Sequence, residues 1–292
     1  MEGDSAEDKT VSLATRGGAG PAVPVLVGST LVPPNTEKVY NLNRRNVPRM
    51  KELLSRVGIG AATVDTVLPT TTLTAGESVD AEVHVEGGTT EQEVDEIYFA
   101  LLTRYETDDS KRTGVVDKFR VAESFTIDEG EQRTFDVTVD VPRDTPVTVG
   151  RTNVWLETGL DVDWAVDPDD EDPVQIEPGP RLDRVFDALD ALGFTVRTAE
   201  CEAVAGSLFS SSFVQEIEFV PRGGPFSGRL DELEVVPRPA ADHLEVGLEV
   251  DRRGGLLSEM ADIDERLTRL TVSDESADEV ETKLREEIER NL

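Results

Sequence analysis

The sequence predicts an all-β protein with two β-sandwich domains in tandem, a short helix at their junction and a helix at the C-terminus. Three observations support this fold class. Many segments alternate apolar and polar residues with a period of two, which is typical of half-buried strands. Turn-forming residues separate these segments at short intervals, as in a sandwich. Helical spacing of apolar residues is clear in only two places, and 292 residues are enough for two hydrophobic cores.

The first predicted domain spans residues 50–178, and alternation defines its strands. In Ser78–Glu86 (SVDAEVHVE), every second residue is apolar, beginning with Val79. The same pattern recurs in EQRTFDVTVDVP, residues 131–142. By contrast, EIYFALLTRY is apolar on both faces, as expected for a strand in the middle of a sandwich.

The closing element of this domain is a predicted hairpin between Gly150 and Pro180. Residues 154–160 alternate and predict its first strand. The acidic run Asp167–Pro173 (DPDDEDP) is predicted as a loop, because adjacent aspartates repel one another and proline removes a backbone donor. The stretch PVQIE then returns to a strand.

The second predicted domain spans residues 179–272 and begins with the junction helix, residues 181–192. The apolar residues of this helix lie on one stripe, and Gly193 follows as a C-terminal stop. Alternating segments predict four strands: FTVRTAECEAV, SFVQEIEFVP, GRLDELEVVP and HLEVGLEVD. Residues 273–292 are predicted to form an acidic C-terminal helix, because Ser276 and Glu279 have the spacing of a capping box.

One long stretch, GRTNVWLETGLDVDWAVDPDDEDPVQIEP, resembles the sporulation-control (SpoOM) family. The likeness extends, in the family's order, through VGIGAATVDTVL, TEQEVDEIYFALLTRY, AECEA, FVQEIEFVP, GRLDELEVV and EVDRR. Together these segments reach from Met50 to Val272. The resemblance implies an arrestin-like fold for both domains and a regulatory role, and it brings no catalytic motif with it.

The chain carries a formal net charge of −32, from 61 acidic and 29 basic residues. Because the acids are spread along the chain, the favoured interpretation is adaptation to concentrated salt, which screens self-repulsion. That would make the chain a haloarchaeal-type acidic member of the family. The alternative is an acidic protein that docks a basic partner. In both cases the charge argues against nucleic-acid binding, which requires a basic surface to replace counterions.

Residues 1–49 differ from the rest of the chain. They contain five acids and six bases, whereas the acidic bias begins at Met50, where the family resemblance also begins. No helical or strand period persists in them. We expect either a start codon assigned too early, with translation from Met50, or a disordered leader.

No residue pattern in the chain predicts catalysis. There is no GxSxG elbow, phosphate-binding GxxxxGK[ST] or HExxH motif. His84 and His243 are expected on the polar faces of strands, without a second ligand at metal-binding spacing. The single Cys201 is expected to be a buried structural thiol, which fits a reducing cytoplasmic setting. No run is long and apolar enough for a transmembrane helix, and no hydrophobic signal segment opens the chain.

Two features remain as candidate sites. The acidic loop, residues 161–172, offers carboxylates suited to calcium or magnesium, although it lacks the glycine turn of an EF-hand loop. We expect no bound cofactor or metal, with solvated acids as the favoured interpretation. Trp164, Arg252 and Arg253 are the partner-binding candidates, because one is an aromatic residue in that loop and the others are a basic pair in an acidic chain. Packing for the tryptophan and ion pairing for the arginines are the alternatives.

The favoured functional hypothesis is a non-catalytic adaptor or regulatory scaffold that binds protein partners through its β-sandwich surfaces. One alternative is a metal-dependent enzyme that uses the acidic loop. Another is a stress or structural protein that acts by self-assembly, so a homo-oligomer remains open. The adaptor hypothesis rests on the fold implied by the resemblance and on the lack of a catalytic constellation.

Overall fold

The computed structural model describes residues 61–107, 109–162, 169–204, 213–252 and 268–292, together with the backbone of Ala14–Thr15. For Arg252 it describes the backbone alone. We refer to residues 61–177, together with the short strand Ala14–Thr15, as the N-terminal half and to residues 179–292 as the C-terminal half. The two halves contain the following elements: β1 (Ala14–Thr15), β2 (Thr63–Val67), β3 (Thr72–Thr74), β4 (Ser78–Glu86), β5 (Gln92–Thr107), β6 (Ser110–Ala122), β7 (Phe125–Ile127), β8 (Gln132–Asp140), β9 (Val154–Val162), β10 (Asp169–Glu177), α1 (Pro180–Ala191), β11 (Phe194–Ala203), β12 (Phe213–Pro221), β13 (Leu230–Pro239), β14 (Leu244–Arg252), β15 (Thr268–Val272) and α2 (Ala277–Arg290).

The N-terminal half is a sandwich of two sheets. One sheet has the strand order β1-β8-β4-β2, and the other contains β5 with β6, β7, β9, β10 and β3. Alternation decides which residues enter the core: Val83 of β4 lies opposite Phe135 of β8, and both are buried. Strand β5 is buried along its middle, from Phe99 to Thr103, and it pairs with β6 on one side and with β9 on the other. The sequence-based strands of this half are therefore confirmed.

The acidic run is the exception, because its assignment as a loop was wrong for its described residues, 169–173. Asp169 already belongs to β10, which pairs antiparallel with β9. Asp170 and Asp172 share a face with the buried Val174 and Ile176, as the period of two requires. Pro173 is tolerated because β3 pairs with β10 only at residues 175–177, which leaves that side of β10 as an edge at the proline.

In the C-terminal half, one antiparallel sheet has the order β11-β12-β13-β14-β15. Helix α1 packs on it, with the Phe186 ring 5.6 Å from that of Phe219 on β12. The helix ends where the sequence predicted, because Gly193 adopts a φ of 86° that favours glycine. Helix α2 begins at the predicted capping box, and its residues Val280, Leu284 and Ile288 are buried. The all-β class with two helices is thus confirmed.

The two halves share one sheet and one core. Strand β11 runs parallel to β5, with Glu202 opposite Glu106, so that the sheet of the C-terminal half continues into the N-terminal half. Buried residues of both halves belong to a single hydrophobic cluster. Backbone contacts reinforce this junction, since the Arg151 N–H donates to the Ala199 carbonyl at 2.8 Å.

The structure tests two expectations only in part: the one for residues 1–49 and the one for transmembrane helices. Of residues 1–49, the structure describes only Ala14–Thr15, which pairs with Asp136 and Phe135 of β8, so the prediction for this segment lies otherwise outside the described residues. Within the described part, neither α1 nor α2 is long and apolar enough to cross a membrane.

Candidate functional site

A cleft of about 500 Å³ lies between the two halves. The N-terminal half contributes the turn at Ala75–Glu77 and the segment Arg143–Val147 after β8. The C-terminal half contributes the first turn of α1 and the ends of β12 and β13. This volume falls within the usual range for small-molecule sites, and clefts between structural units are common places for them.

Arginines are concentrated in this cleft. Four of them line it, against three acids, although acids outnumber bases about two to one in the whole chain. The arginines are Arg143, Arg181, Arg184 and Arg238, and the acids are Glu77, Asp144 and Asp274. The lining of the cleft therefore departs from the acidic character of the chain.

Two of these arginines converge on one oxygen atom. Arg181 Nε donates to the Ser273 carbonyl at 3.3 Å, and Arg184 Nη1 donates to the same carbonyl at 3.2 Å. The carboxylate of Asp274 lies 3.8 Å from Arg181 Nη2, and the Asp274 side chain is 93% exposed. Arg181 and Arg184 lie side by side because residues three apart on α1 are neighbours on one helix face.

The segment from the N-terminal half brings further polar groups to the cleft. Arg143 Nη1 donates to the Ala241 carbonyl at 2.9 Å, across the junction. Thr145 is buried, and its hydroxyl has no hydrogen-bond partner among the described residues. Beside it, the buried Gln215 side chain of β12 bonds to both backbone groups of Val147.

Strand β6 is the second feature of functional interest, because it forms an edge of its sheet. Within the described ranges it pairs with β5 and with no other strand. Its thirteen residues include four bases and a single acid, Asp117. The bases are Lys111, Arg112, Lys118 and Arg120. Val115 of the same strand is 48% exposed, which is unusual for a large apolar side chain among the described residues.

The acidic hairpin presents carboxylates on both faces. On the outer face, single oxygens of Glu157, Asp169 and Glu171 lie within 4.8 Å of one another, which is close enough to share a cation. On the inner face, burial and the neighbouring Asp170 raise the pKa of Asp172 to about 6. Burial also raises the pKa of Asp170, which accepts a hydrogen bond from the Thr66 N–H at 2.9 Å. Of the predicted acidic loop, the structure describes residues 161–162 and 169–172.

The partner-binding residues predicted from the sequence are not brought together in the described part. Trp164 and Arg253 lie outside the described residues. Arg252 ends β14, with its backbone opposite Leu230, and its side chain is outside the description. These three therefore remain predictions, and the cleft arginines were missed. The sequence signal that existed for them is weak: a pair of arginines three residues apart at the start of a predicted helix.

The structure describes both histidines and the cysteine. His84 lies on the polar face of β4, exposed, with Nε2 3.2 Å from Glu82. His243 is half-exposed but precedes β14 rather than lying in it, and it lines the cleft. Cys201 is a free, buried thiol, as expected, and burial raises its pKa to about 11. Such a thiol is a poor nucleophile at neutral pH.

Comparison with known proteins identifies the family. The model of the SpoOM protein family matches residues 50–254, which is more than half of the chain. The chain belongs to the SpoOM family. The sporulation-control protein spo0M of Bacillus subtilis (strain 168) is 38% identical over 250 residues, which are 83% of this chain and 96% of that protein.

The SpoOM assignment extends to the tertiary structure. The crystal structure of Spo0M from Bacillus subtilis superposes with a TM-score of 0.72 at 38% identity, covering 80% of this chain and all of that one. The family match begins at residue 50, where the acidic composition also begins. The resemblance predicted from the sequence is thus confirmed.

Proposed function

We propose that this SpoOM-family protein is a non-catalytic adaptor that binds a partner protein by strand addition at β6. The observation that supports this most directly is the edge position of β6, whose pairing with β5 leaves its other side open among the described residues. An open edge presents backbone donors and acceptors that an extended segment can pair with. The buried, unreactive Cys201 supports a cytoplasmic setting for the proposed adaptor.

The charge of β6 favours one class of partner segment. Lys118 Nζ lies 3.6 Å from the centroid of the Tyr98 ring, and Arg120 Nε lies 2.8 Å from Glu96, so these bases are held near the strand. Opposite charges across neighbouring strands stabilise pairing and like charges weaken it. An extended segment with acidic residues is therefore favoured over a second copy of β6, which would place bases opposite bases.

A photo-cross-linking experiment tests the adaptor proposal. A benzoylphenylalanine is placed at the exposed Thr113 of β6, with the exposed Glu289 of α2 as the matched control position. We expect one partner to be cross-linked from position 113 and not from position 289, and hydrogen exchange of β6 amides to slow on adding that purified partner. Charge reversal at Arg112 and Lys118 should reduce the cross-linked fraction. Equal products from both positions, or unchanged exchange in β6, would contradict strand addition.

The alternatives make different predictions. The metal-dependent enzyme requires tight, stoichiometric metal at Glu157, Asp169 and Glu171, which elemental analysis after dialysis measures. The self-assembling protein requires a mass that grows with concentration, which light scattering measures. The adaptor proposal expects neither result.

A further inference from the structure

The cleft arginines have a property that the adaptor proposal does not use. Arg181 and Arg184 place two guanidinium groups around the single Ser273 carbonyl, although like charges repel one another. Both donate to this one uncharged acceptor, and the ion pair between Arg181 and Asp274 is long, at 3.8 Å, with the Asp274 side chain almost fully exposed. The Arg181 side chain is only 25% exposed, so water screens this positive charge incompletely. A bound anion would relieve the repulsion.

The first turn of α1 adds a second source of positive potential. This helix has twelve residues, and its N-cap is Gly179, which has no side chain to bond the first backbone amides. Helix N-termini favour anions, because their amides point outward and the helix dipole is positive there. Gly179, Pro180, Arg181 and Leu182 all line the cleft, so the helix end and the arginine pair act on the same space.

Thr145 provides an independent observation from the opposite wall of the cleft. The residue is 4% exposed, and its hydroxyl oxygen has no hydrogen-bond partner among the described residues. A buried hydroxyl without a partner is costly, and native proteins usually satisfy such a group. An oxygen-rich ligand between this wall and the start of α1 would supply the acceptor.

We propose that the cleft binds a phosphate monoester. Guanidinium groups form paired hydrogen bonds with phosphate oxygens, and a helix N-terminus is suited to the same group. The cleft volume of about 500 Å³ exceeds what a phosphate group needs, and Pro146, Pro237 and Leu244 line it beside the arginines. The phosphate is therefore attached to an organic group. The ligand is either a free small molecule or a phosphorylated side chain of another protein. Since both halves line the cleft, the ligand would stabilise their junction.

Calorimetry at constant ionic strength tests the site. Phosphoserine is titrated into the full chain, with serine and succinate as controls for the phosphate and for general anion binding. We expect saturable one-to-one binding of phosphoserine, and at least tenfold weaker binding by the double variant R181Q/R184Q. The matched control is R285Q, whose arginine pairs with Glu281 on α2, away from the cleft, and whose binding should not change. A phosphoserine peptide that binds at least tenfold more tightly than phosphoserine identifies a protein side chain as the source, whereas equal affinities identify a small molecule.

A second measurement uses the chain without substitutions, so that the proposal can still be tested if the double variant does not fold. Phenylglyoxal modifies accessible arginines, and mass spectrometry counts the modification at each position. Phosphoserine should protect Arg181 and Arg184 from modification at least fivefold, while Arg285 should be modified at an unchanged rate. Absence of saturable binding, tighter binding of succinate than of phosphoserine, or equal protection of Arg285 would overturn the proposal.

Discussion

Gln215 and Val147 exchange two hydrogen bonds across the junction of the two halves. The Val147 N–H donates to Gln215 Oε1 at 3.0 Å, and Gln215 Nε2 donates to the Val147 carbonyl at 2.7 Å. The same amide nitrogen lies 2.9 Å from Thr152 Oγ1. The side chain thus pairs with a backbone segment as a neighbouring strand would, and it is only 6% exposed.

Replacing Gln215 with leucine should destabilise the chain by about 1–3 kcal/mol, because the Val147 N–H would stay buried without a partner. The Val147 carbonyl would keep the hydrogen bond that it accepts from the Val149 N–H at 2.9 Å. Urea denaturation at fixed salt measures the loss. The matched control is Gln175→Leu on β10, whose side chain is exposed. A loss at Gln215 no larger than that of the control would show that these hydrogen bonds do not stabilise the junction.

Gly150 should tolerate no side chain, because a Cβ atom there would lie 2.1 Å from the Ala199 nitrogen. Gly130 has a similar positive φ of 64°, yet a Cβ atom there would meet nothing within 4 Å. Gly130→Ala should therefore cost only the backbone strain of about 1 kcal/mol. We expect Gly150→Ala to cost about 2–4 kcal/mol, since β11 must also move away. Equal shifts in thermal denaturation for the two variants would contradict a close approach at this junction.

Asp172 should make the hairpin less stable as pH rises. Its pKa is raised in the folded chain to about 6, mainly by burial, so the folded state binds a proton more tightly than the unfolded state. Its contribution is fully present below about pH 4 and is lost as pH rises through about 6. Because the group is partly exposed, we expect Asp172→Asn to raise the free energy of unfolding at pH 7 by about 1 kcal/mol, with little effect at pH 4.

Urea denaturation at pH 4, 5, 6 and 7 in one salt concentration measures this change. Asp187→Asn, at an exposed position of α1, is the matched control for the same chemical change. If the stability difference between Asp172→Asn and the parent chain were constant across this range, the raised pKa of Asp172 in the folded chain would be refuted.

Stability should depend strongly on salt. The net charge of −32 gives strong repulsion at low ionic strength, where the Debye length reaches about 30 Å at 0.01 M. Circular dichroism during dialysis from molar salt to 0.01 M should show loss of the β signal. Sucrose at matched osmolality is the control for nonionic effects. An unchanged spectrum would exclude salt adaptation and favour the basic-partner interpretation of the acidic surface.

Local features were predictable because they depend on nearby residues. Alternation in Ser78–Glu86 and Gln132–Asp140 predicted two strands that lie side by side in the structure. The spacing of Ser276 and Glu279 predicted the start of α2, since a capping box is formed within a single turn. Family membership was also predictable, because motifs in a fixed order along the sequence identify the family.

What the sequence by itself determined is therefore the class of each segment and the family of the chain. Only the tertiary structure decided that Asp169–Asp172 form a strand, because pairing with β9 outweighs the local preference of aspartate and proline for loops. The cleft could not be predicted from the sequence either. Arg143, Thr145 and Arg181 lie on separate segments, and no local pattern of residues indicates that these segments come together. Periodicity states which face of a segment is buried, but the charge and hydrogen-bonding state of a side chain depend on what folding places opposite it.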